Sequence, residues 1–183
     1  MIEFSNLLAV GATNRNLGKT EFICQLIKEF RHESIIALKI KTFYPGDEQS
    51  HGKGSGFSGD YLVRKENDKN GLDDSKRFLK AGASSVYYIK SRIQDLEKAI
   101  NEVKSKFPDS QLFIAESNSL LKFYRPGIFI MIQGPNIADY KPSSLEFVDR
   151  VDRIIKSNGV DFDISPKDIG LQINNFTWLI PEP

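Results

Sequence analysis

The stretch of the sequence best suited to chemistry is residues 11–20, which end in Gly-Lys-Thr. Apolar residues precede it and an amphipathic run follows it, a pattern that predicts a strand, a tight loop and a helix. Backbone N–H groups of such a loop, with the start of the helix, form a cradle for anions. Lys19 can neutralise β- and γ-phosphate charge, and the Thr20 hydroxyl can bind a bridging Mg²⁺. We therefore predict a phosphate-binding loop for a nucleoside triphosphate with Mg²⁺.

The loop is a variant of the usual pattern, because Thr13 stands where the motif has its first glycine. The alternative is a strand–loop–helix junction that ends in Gly-Lys-Thr by coincidence, and the flanking strand and helix favour the phosphate-binding interpretation. Gly18 leaves room for a ligand that a Cβ would crowd. The nucleotide-binding residues that we predict from the loop are Thr13, Asn14, Arg15, Asn16, Leu17, Gly18, Lys19, Thr20 and Glu21.

Two further charged residues lie near the ends of predicted buried strands. Lys39 lies in the apolar run 34–40, and Glu116 follows the run 112–115. Ligands of parallel sheets bind beyond the carboxyl ends of the strands, so Lys39 can bind a phosphate or an anionic substrate. Glu116 can bind Mg²⁺ or orient a nucleophile. The alternatives are a solvated lysine and a carboxylate that caps the next turn. Our catalytic candidates are Lys19, Lys39 and Glu116, and our metal ligands are Thr20 and Glu116.

The composition excludes several classes of protein. The chain has 183 residues, enough for one domain, and its net charge of +1 gives no electrostatic case for nucleic acid or a membrane surface. Cys24 is the single cysteine, which excludes an internal disulfide and a multi-cysteine metal site. No apolar run has membrane-spanning length, and residues 1–5 do not resemble the start of a signal peptide. We therefore expect a cytoplasmic protein.

Strands and helices alternate along the chain, which predicts a three-layer α/β fold with a mainly parallel central sheet. With the loop at residues 11–20, this arrangement resembles the P-loop NTPase fold. We expect one nucleotide-binding domain over residues 1–183, with a long glycine-rich insertion at about 43–74 that is mobile or covers the substrate. A strand at 152–156 competes with one longer helix. Further strands are predicted at 61–65, 84–89, 127–132 and 177–180, and helices at about 75–82, 93–107 and 143–150.

The phosphate loop resembles that of dethiobiotin synthetase, which also has Thr at the first-glycine position and ends in Gly-Lys-Thr. Residues 37–39, Ala-Leu-Lys, are similar to the strand-end lysine of that family, with Ile40 in place of its proline. Glu116 matches the glutamate of the family's Glu-Gly motif, with Ser117 in place of the glycine. This resemblance implies an ATP-dependent reaction on a small anionic substrate.

A second resemblance covers more of the chain. Asp-Ser at 74–75, Arg77, Ala-Gly-Ala at 81–83 and Lys-Pro-Ser-Ser at 141–144 are similar to the pattern of the molybdopterin-guanine dinucleotide biosynthesis protein B family. It implies binding of GTP or ATP and slow hydrolysis in an accessory protein of cofactor biosynthesis. The departures are the longer phosphate loop and the lack of a histidine after Lys39.

Two hypotheses therefore stay open. The first is a nucleotide-binding accessory protein, an NTPase whose hydrolysis is slow or absent. The second is an ATP-dependent ligase or kinase that acts on a small anionic substrate. The corresponding partners are a nucleoside triphosphate, with a small-molecule substrate or a partner enzyme, and a homodimer is kept as a further hypothesis. No Asn-Lys-x-Asp run distinguishes ATP from GTP, and Asn158 is our candidate contact to the base.

Overall fold

A central β-sheet carries two of the predicted site residues, Lys39 and Glu116, and leads into the loop that holds most of the others. In residues 1–45 and 60–180, which the computed structural model describes, seven strands form this sheet in the order β3-β4-β2-β5-β1-β6-β7. Its strands are β1 (Ile2–Ala12), β2 (Ile36–Phe43), β3 (Tyr61–Glu66), β4 (Ser85–Arg92), β5 (Phe113–Glu116), β6 (Tyr124–Gln133) and β7 (Arg153–Lys156). The helices are α1 (Lys19–Glu29), α2 (Asp74–Ala81), α3 (Leu96–Lys104) and α4 (Pro142–Leu145).

The sheet is parallel apart from β3, which pairs antiparallel with β4. Apolar residues fill the middle of β1 and β5, as expected for strands that are covered on both faces. Because β5 lies between β1 and β2, Glu116 is in register with Val10 on one side and Lys39 on the other. The strand order therefore brings the predicted catalytic residues to one edge of the sheet.

Two apolar cores confirm the three-layer arrangement. One core packs α1 and α2 against one face of the sheet through side chains such as Phe22 and Phe78. The other packs α3 against the opposite face through Leu96 and Ile100. None of the helices in the described part of the chain is long and apolar enough to span a membrane.

The structure corrects two of the predicted helices. The segment predicted as one helix at 143–150 is the short helix α4 followed by a separate 3-10 turn, Val148–Arg150. Phe147 lies between them and is 1% exposed, so burying its ring interrupts the helix. The helix predicted at 93–107 begins as a 3-10 turn, Ile93–Asp95, and its α-helical part ends at Lys104.

The strand predicted at 61–65 is β3, and the one at 152–156 is β7 rather than part of a helix. The expectation of a mobile or covering insertion at 43–74 falls partly on residues 46–59, which lie outside the described residues. Residues 60–74 form β3 and a turn that leads into α2.

A hairpin at the end of the chain covers the α1 side of the sheet, where the sequence predicted only a strand at 177–180. Its strands are β8 (Gln172–Asn174) and β9 (Thr177–Leu179), and the two turn residues between them both have positive φ. Trp178 is 1% exposed, and its indole N–H donates to the Phe113 carbonyl at 3.1 Å. Its ring meets Phe30 edge-on at 5.0 Å. The hairpin therefore fastens α1 to the centre of the sheet.

We predict that Trp178→Ala lowers the free energy of unfolding by about 3–5 kcal/mol, because it empties a large buried site and leaves the Phe113 carbonyl without its donor. Trp178→Phe should cost less, since most of the packing remains. The control is Phe176→Ala in the same hairpin, where the ring is 56% exposed and the expected change is within about 0.5 kcal/mol. Urea unfolding measures all three variants, and equal effects of Trp178→Ala and Phe176→Ala would contradict the anchoring role.

Candidate functional site

The phosphate loop turns into α1 through residues with left-handed backbone conformation. Gly18 has φ 78° and Asn16 has φ 58°. A Cβ on Gly18 would lie 2.9 Å from the Phe162 ring, so both the backbone conformation and the space require glycine there. No side chain caps the start of α1. The first N–H groups of the helix therefore face the loop without a side-chain acceptor.

Asn118, which the sequence analysis missed as a site residue, holds the start of the loop. Its amide accepts the Ala12 N–H at 3.0 Å and donates to the Ala12 carbonyl at 3.1 Å. A Cβ on Gly11 would lie 2.2 Å from the Asn118 side-chain oxygen, so this close approach depends on glycine. The signal in the sequence was its position two residues beyond Glu116, past the end of a buried strand.

Thr13 is 1% exposed, and its hydrogen bonds stabilise the conformation of the loop. Its hydroxyl accepts the Gly134 N–H at 3.0 Å, and its own N–H donates to Ile132 at 2.9 Å. Its carbonyl accepts the Lys141 N–H at 2.9 Å and the Ser144 hydroxyl at 3.3 Å. The residue at the first-glycine position thus ties the loop to β6 and to the segment that follows it.

The structure brings Lys19, Lys39 and Glu116 together. The Glu116 side chain is 7% exposed, and its Oε1 lies 2.8 Å from Lys39 Nζ and 3.8 Å from Lys19 Nζ. The Thr20 hydroxyl donates to its Oε2 at 3.3 Å. A single buried carboxylate therefore contacts the ammonium groups of both predicted lysines and the predicted metal-binding hydroxyl.

Asp74 also belongs to this cluster, although the sequence analysis considered it only as part of a family motif. Its Oδ2 lies 2.5 Å from Lys39 Nζ. The next residue, Ser75, donates to the buried carboxylate of Glu66 at 2.8 Å, which fixes the first turn of α2 against β3. Glu21, predicted at the nucleotide, lies 2.6 Å from Arg77 and links α1 to α2.

The lysines of the cluster differ in their electrostatic surroundings. Burial, together with the charge of Lys39, lowers the pKa of Lys19 in spite of Glu116. Burial also acts to lower the pKa of Lys39, but Glu116 and Asp74 outweigh it and raise that pKa. Burial acts to raise the pKa of Asp74, but the hydrogen bonds from Lys39 and Thr20 keep it below the ordinary value of 3.8. The Lys39–Asp74 pair is therefore fully ionised at neutral pH.

Asn158 lies at the rim of a cavity beside the phosphate loop. The cavity has a volume of about 560 Å³, and its lining includes Gly134, Tyr140, Lys156, Asn158 and Phe162. The Asn158 side-chain oxygen accepts the N–H groups of Val160 and Asp161 at 2.9 and 2.8 Å. This oxygen therefore shapes the loop after β7, and only the NH₂ group of the side chain is left for a ligand.

The oxygen atoms of Thr20, Glu116 and Asp74 suit Mg²⁺, which prefers carboxylates and hydroxyls. Across 1–45 and 60–180, no group of three or more His, Cys, Asp or Glu side chains could hold a metal ion by itself. A Mg²⁺ site with few protein ligands fits this chemistry, because phosphate and water supply the remaining oxygens.

We predict that Asp74→Asn destabilises the fold at pH 6 by about 1 kcal/mol or less, because Lys39 loses one of its two carboxylates. A lowered carboxyl pKa stabilises the folded state above the unfolded pKa, and this contribution is lost as the pH falls through the folded value. The difference from wild type should therefore begin to shrink near pH 3.8 and vanish only below the lowered pKa of the folded state. Asp73→Asn is the control, because Asp73 is 74% exposed and its difference should stay small throughout. Urea unfolding across pH measures both, and a constant deficit for Asp74→Asn would contradict the ion pair.

The chain was compared with protein families, with curated sequences and with solved structures, and only the structures gave a match. No protein-family model matches the chain, and no curated protein sequence matches it. Among solved structures it is similar to LpxK from Aquifex aeolicus in complex with ATP, with a TM-score of 0.51 and 17% identity. The similarity covers 83% of this chain and 48% of the LpxK chain, so this chain spans about half the length of LpxK. The three-layer α/β fold with a mainly parallel central sheet is thereby confirmed, whereas neither of the two family resemblances is.

Proposed function

We propose that this protein binds a nucleoside triphosphate with Mg²⁺ at the phosphate loop and hydrolyses it slowly. The observation that carries the proposal is the left-handed turn at Gly18, which leads into a helix start that no side chain caps. Phosphate oxygens can accept the N–H groups at such a helix start, and the helix dipole favours their negative charge. Lys19, the first residue of α1, stands beside these groups.

Lys19 can reach a phosphate at little electrostatic cost. Among the described residues its closest carboxylate is Glu116, and their separation of 3.8 Å is long for an ion pair. Glu116 keeps Lys39 at 2.8 Å when Lys19 turns away, so its buried charge stays compensated. The ammonium group is therefore free to exchange a weak contact for a charge-assisted hydrogen bond to phosphate.

The cavity beside the loop has the size and lining to take the nucleoside. Aromatic side chains of Tyr140 and Phe162 line it, and the NH₂ group of Asn158 can donate to a base. The structure of LpxK with ATP on the same fold supports a purine nucleoside triphosphate as the ligand. The binding experiment below distinguishes ATP from GTP.

Thr20 and Glu116, with Asp74 beside them, are the residues that we assign to Mg²⁺. The ion supplies charge neutralisation on the β- and γ-phosphates. Glu116 already accepts from Thr20 and pairs with two lysines, so in this arrangement it is not free to activate water. For this reason we infer slow hydrolysis and an accessory role. The resemblance to the molybdopterin-guanine dinucleotide biosynthesis protein B family is our reason to propose that this role belongs to cofactor biosynthesis.

A second function, phosphoryl transfer or ligation to a small anionic substrate, is favoured by Lys39. Its ammonium lies at the carboxyl edge of the sheet next to the cluster and keeps a raised pKa. A charged lysine there can stabilise negative charge on a transferred group. This function requires a second substrate, and turnover that depends on it distinguishes the two proposals.

We predict that Lys19→Met weakens triphosphate binding roughly 10- to 100-fold, since it removes a charge-assisted contact but keeps the stem of the side chain. Diphosphate binding should weaken less, because the γ-phosphate contact is absent in both proteins. Lys28→Met at the exposed end of α1 is the matched control and should bind like wild type. Calorimetric titration with ATP, ADP, GTP and GDP measures this. Equal affinities of wild type and Lys19→Met for the triphosphates would reject the phosphate loop as the site.

We also predict that Glu116→Gln leaves triphosphate affinity within about tenfold of wild type and lowers the already slow release of phosphate by a larger factor, because it removes the charge that holds Mg²⁺. Asp95→Asn is the control, since Asp95 is a buried, ion-paired carboxylate near α3 on the other face. Phosphate release is measured with and without small carboxylate or amine substrates. Fast release that needs a substrate and disappears in both Glu116→Gln and Lys39→Met would replace the accessory role with the ligase or kinase.

A further inference from the structure

Lys141 is a cation at the phosphate loop that the proposed function does not use. It lies between β6 and β7 and immediately precedes α4. Its N–H donates to the Thr13 carbonyl at 2.9 Å, and Ser144, one turn later, donates its hydroxyl to the same carbonyl at 3.3 Å. These two hydrogen bonds hold the backbone of Lys141 against the first part of the phosphate loop.

No carboxylate in the described ranges 1–45 and 60–180 forms an ion pair with the Lys141 ammonium, and the one opposing charge that acts on it is Glu116. The acidic groups nearest in its own segment are engaged elsewhere, since Asp139 accepts from Asn136 at 3.0 Å and Glu146 pairs with Lys122 at 3.0 Å. A half-buried lysine without a partner is costly, so the arrangement is better explained by an anion that binds there.

The charges that face Lys141 from the neighbouring elements are mostly positive. Arg15 belongs to the phosphate loop, Lys19 begins α1, and Glu116 at the end of β5 is the opposing charge. Burial, followed by the charges of Lys19 and Arg15, lowers the pKa of Lys141 to about 8. Glu116 acts in the other direction but pairs with Lys39 and Lys19. Cations from three different segments thus converge on the loop with one carboxylate shared among them.

We propose that Lys141 is a second phosphate-binding cation, which contacts the polyphosphate of the nucleotide from the connection between β6 and β7 and joins this segment to the ligand. This proposal rests on the proposed function, because the polyphosphate is its ligand. Lys19 approaches from the helix and Lys141 from the β6–β7 connection. Binding therefore fastens two segments that are separate in the sequence.

If Lys141 binds the polyphosphate, its side chain should take up a proton when the ligand binds. An anion beside an ammonium raises its pKa, so a lysine that is partly neutral in the free protein takes up a proton when polyphosphate binds. At pH 8 about half of the Lys141 side chains are neutral in the free protein, and at pH 6.5 nearly all are charged. Proton uptake should therefore accompany binding at pH 8 and be smaller at pH 6.5.

The test is calorimetric titration with Mg-ATP and, in parallel, inorganic tripolyphosphate, in two buffers of different ionisation enthalpy at pH 8 and pH 6.5. For wild type we expect net proton uptake with Mg-ATP at pH 8 and less at pH 6.5, whereas tripolyphosphate, which carries protons of its own in this range, reports on affinity alone. Lys141→Met should lose roughly 10- to 100-fold in affinity for both ligands at pH 6.5, together with part of the proton uptake at pH 8. Lys141→Arg should keep affinity within a few-fold but take up fewer protons than wild type at pH 8, since a guanidinium stays charged.

The control is Lys104→Met, which removes a half-buried lysine that lies 4.5 Å from the Phe4 ring, near the opposite end of β1. It should leave affinity and proton uptake unchanged. If Lys141→Met is unfolded by thermal melting, Lys141→Arg decides through its proton uptake alone. Wild-type affinity and uptake in both Lys141 variants would overturn the proposal and leave the proposed function standing. A loss for ATP but not for tripolyphosphate would also overturn it. A wild-type protein that binds neither ligand would reject both.

Discussion

The site depends on the buried carboxylate of Glu116, which lies 2.8 Å from Lys39 and 3.8 Å from Lys19. A carboxylate that is only 7% exposed is expensive to ionise without a cation, so Lys39 is needed wherever Glu116 is charged. Since the two residues are in register on neighbouring strands, this pair links β5 to β2 at the edge where ligands of parallel sheets bind. Asp74 then joins α2 to the same lysine. The charged edge of the sheet and the position of α2 are thus one electrostatic unit.

Around this unit, the phosphate loop is held by contacts from several segments that are distant in the sequence. Asn118 binds the backbone of Ala12, Gly134 donates to Thr13, and Phe162 packs over Gly18. Each contact fixes part of the loop before any ligand arrives, and a loop that is already ordered loses less conformational entropy when it binds. These contacts explain how a loop with Thr13 at the first-glycine position can keep the conformation that a phosphate requires.

The sequence predicted what local patterns determine. Gly-Lys-Thr after a strand and before a helix predicted the loop, and the apolar runs predicted most of the strands, with β7 as one of two alternatives. Asp74 and Asn118 were not predicted as site residues, because their roles depend on how β3 and α2 dock and on which strand lies beside β1. The broken helix at 143–150 has the same origin, since tertiary burial of Phe147 overrides local propensity. The sequence pattern therefore predicts the motif but not the long-range packing around it.

The net charge of the whole chain differs from the charge around the candidate site. A value of +1 over the whole chain gave no reason to expect an anionic partner on electrostatic grounds. Around the phosphate loop, however, four cations, Arg15, Lys19, Lys39 and Lys141, surround two carboxylates, Glu116 and Asp74. A local surplus of positive charge in a partly buried place weakens the fold unless an anion offsets it. A polyphosphate carries several negative charges. The proposed ligand, which the geometry of the loop favours, would therefore also offset the surplus positive charge around the loop.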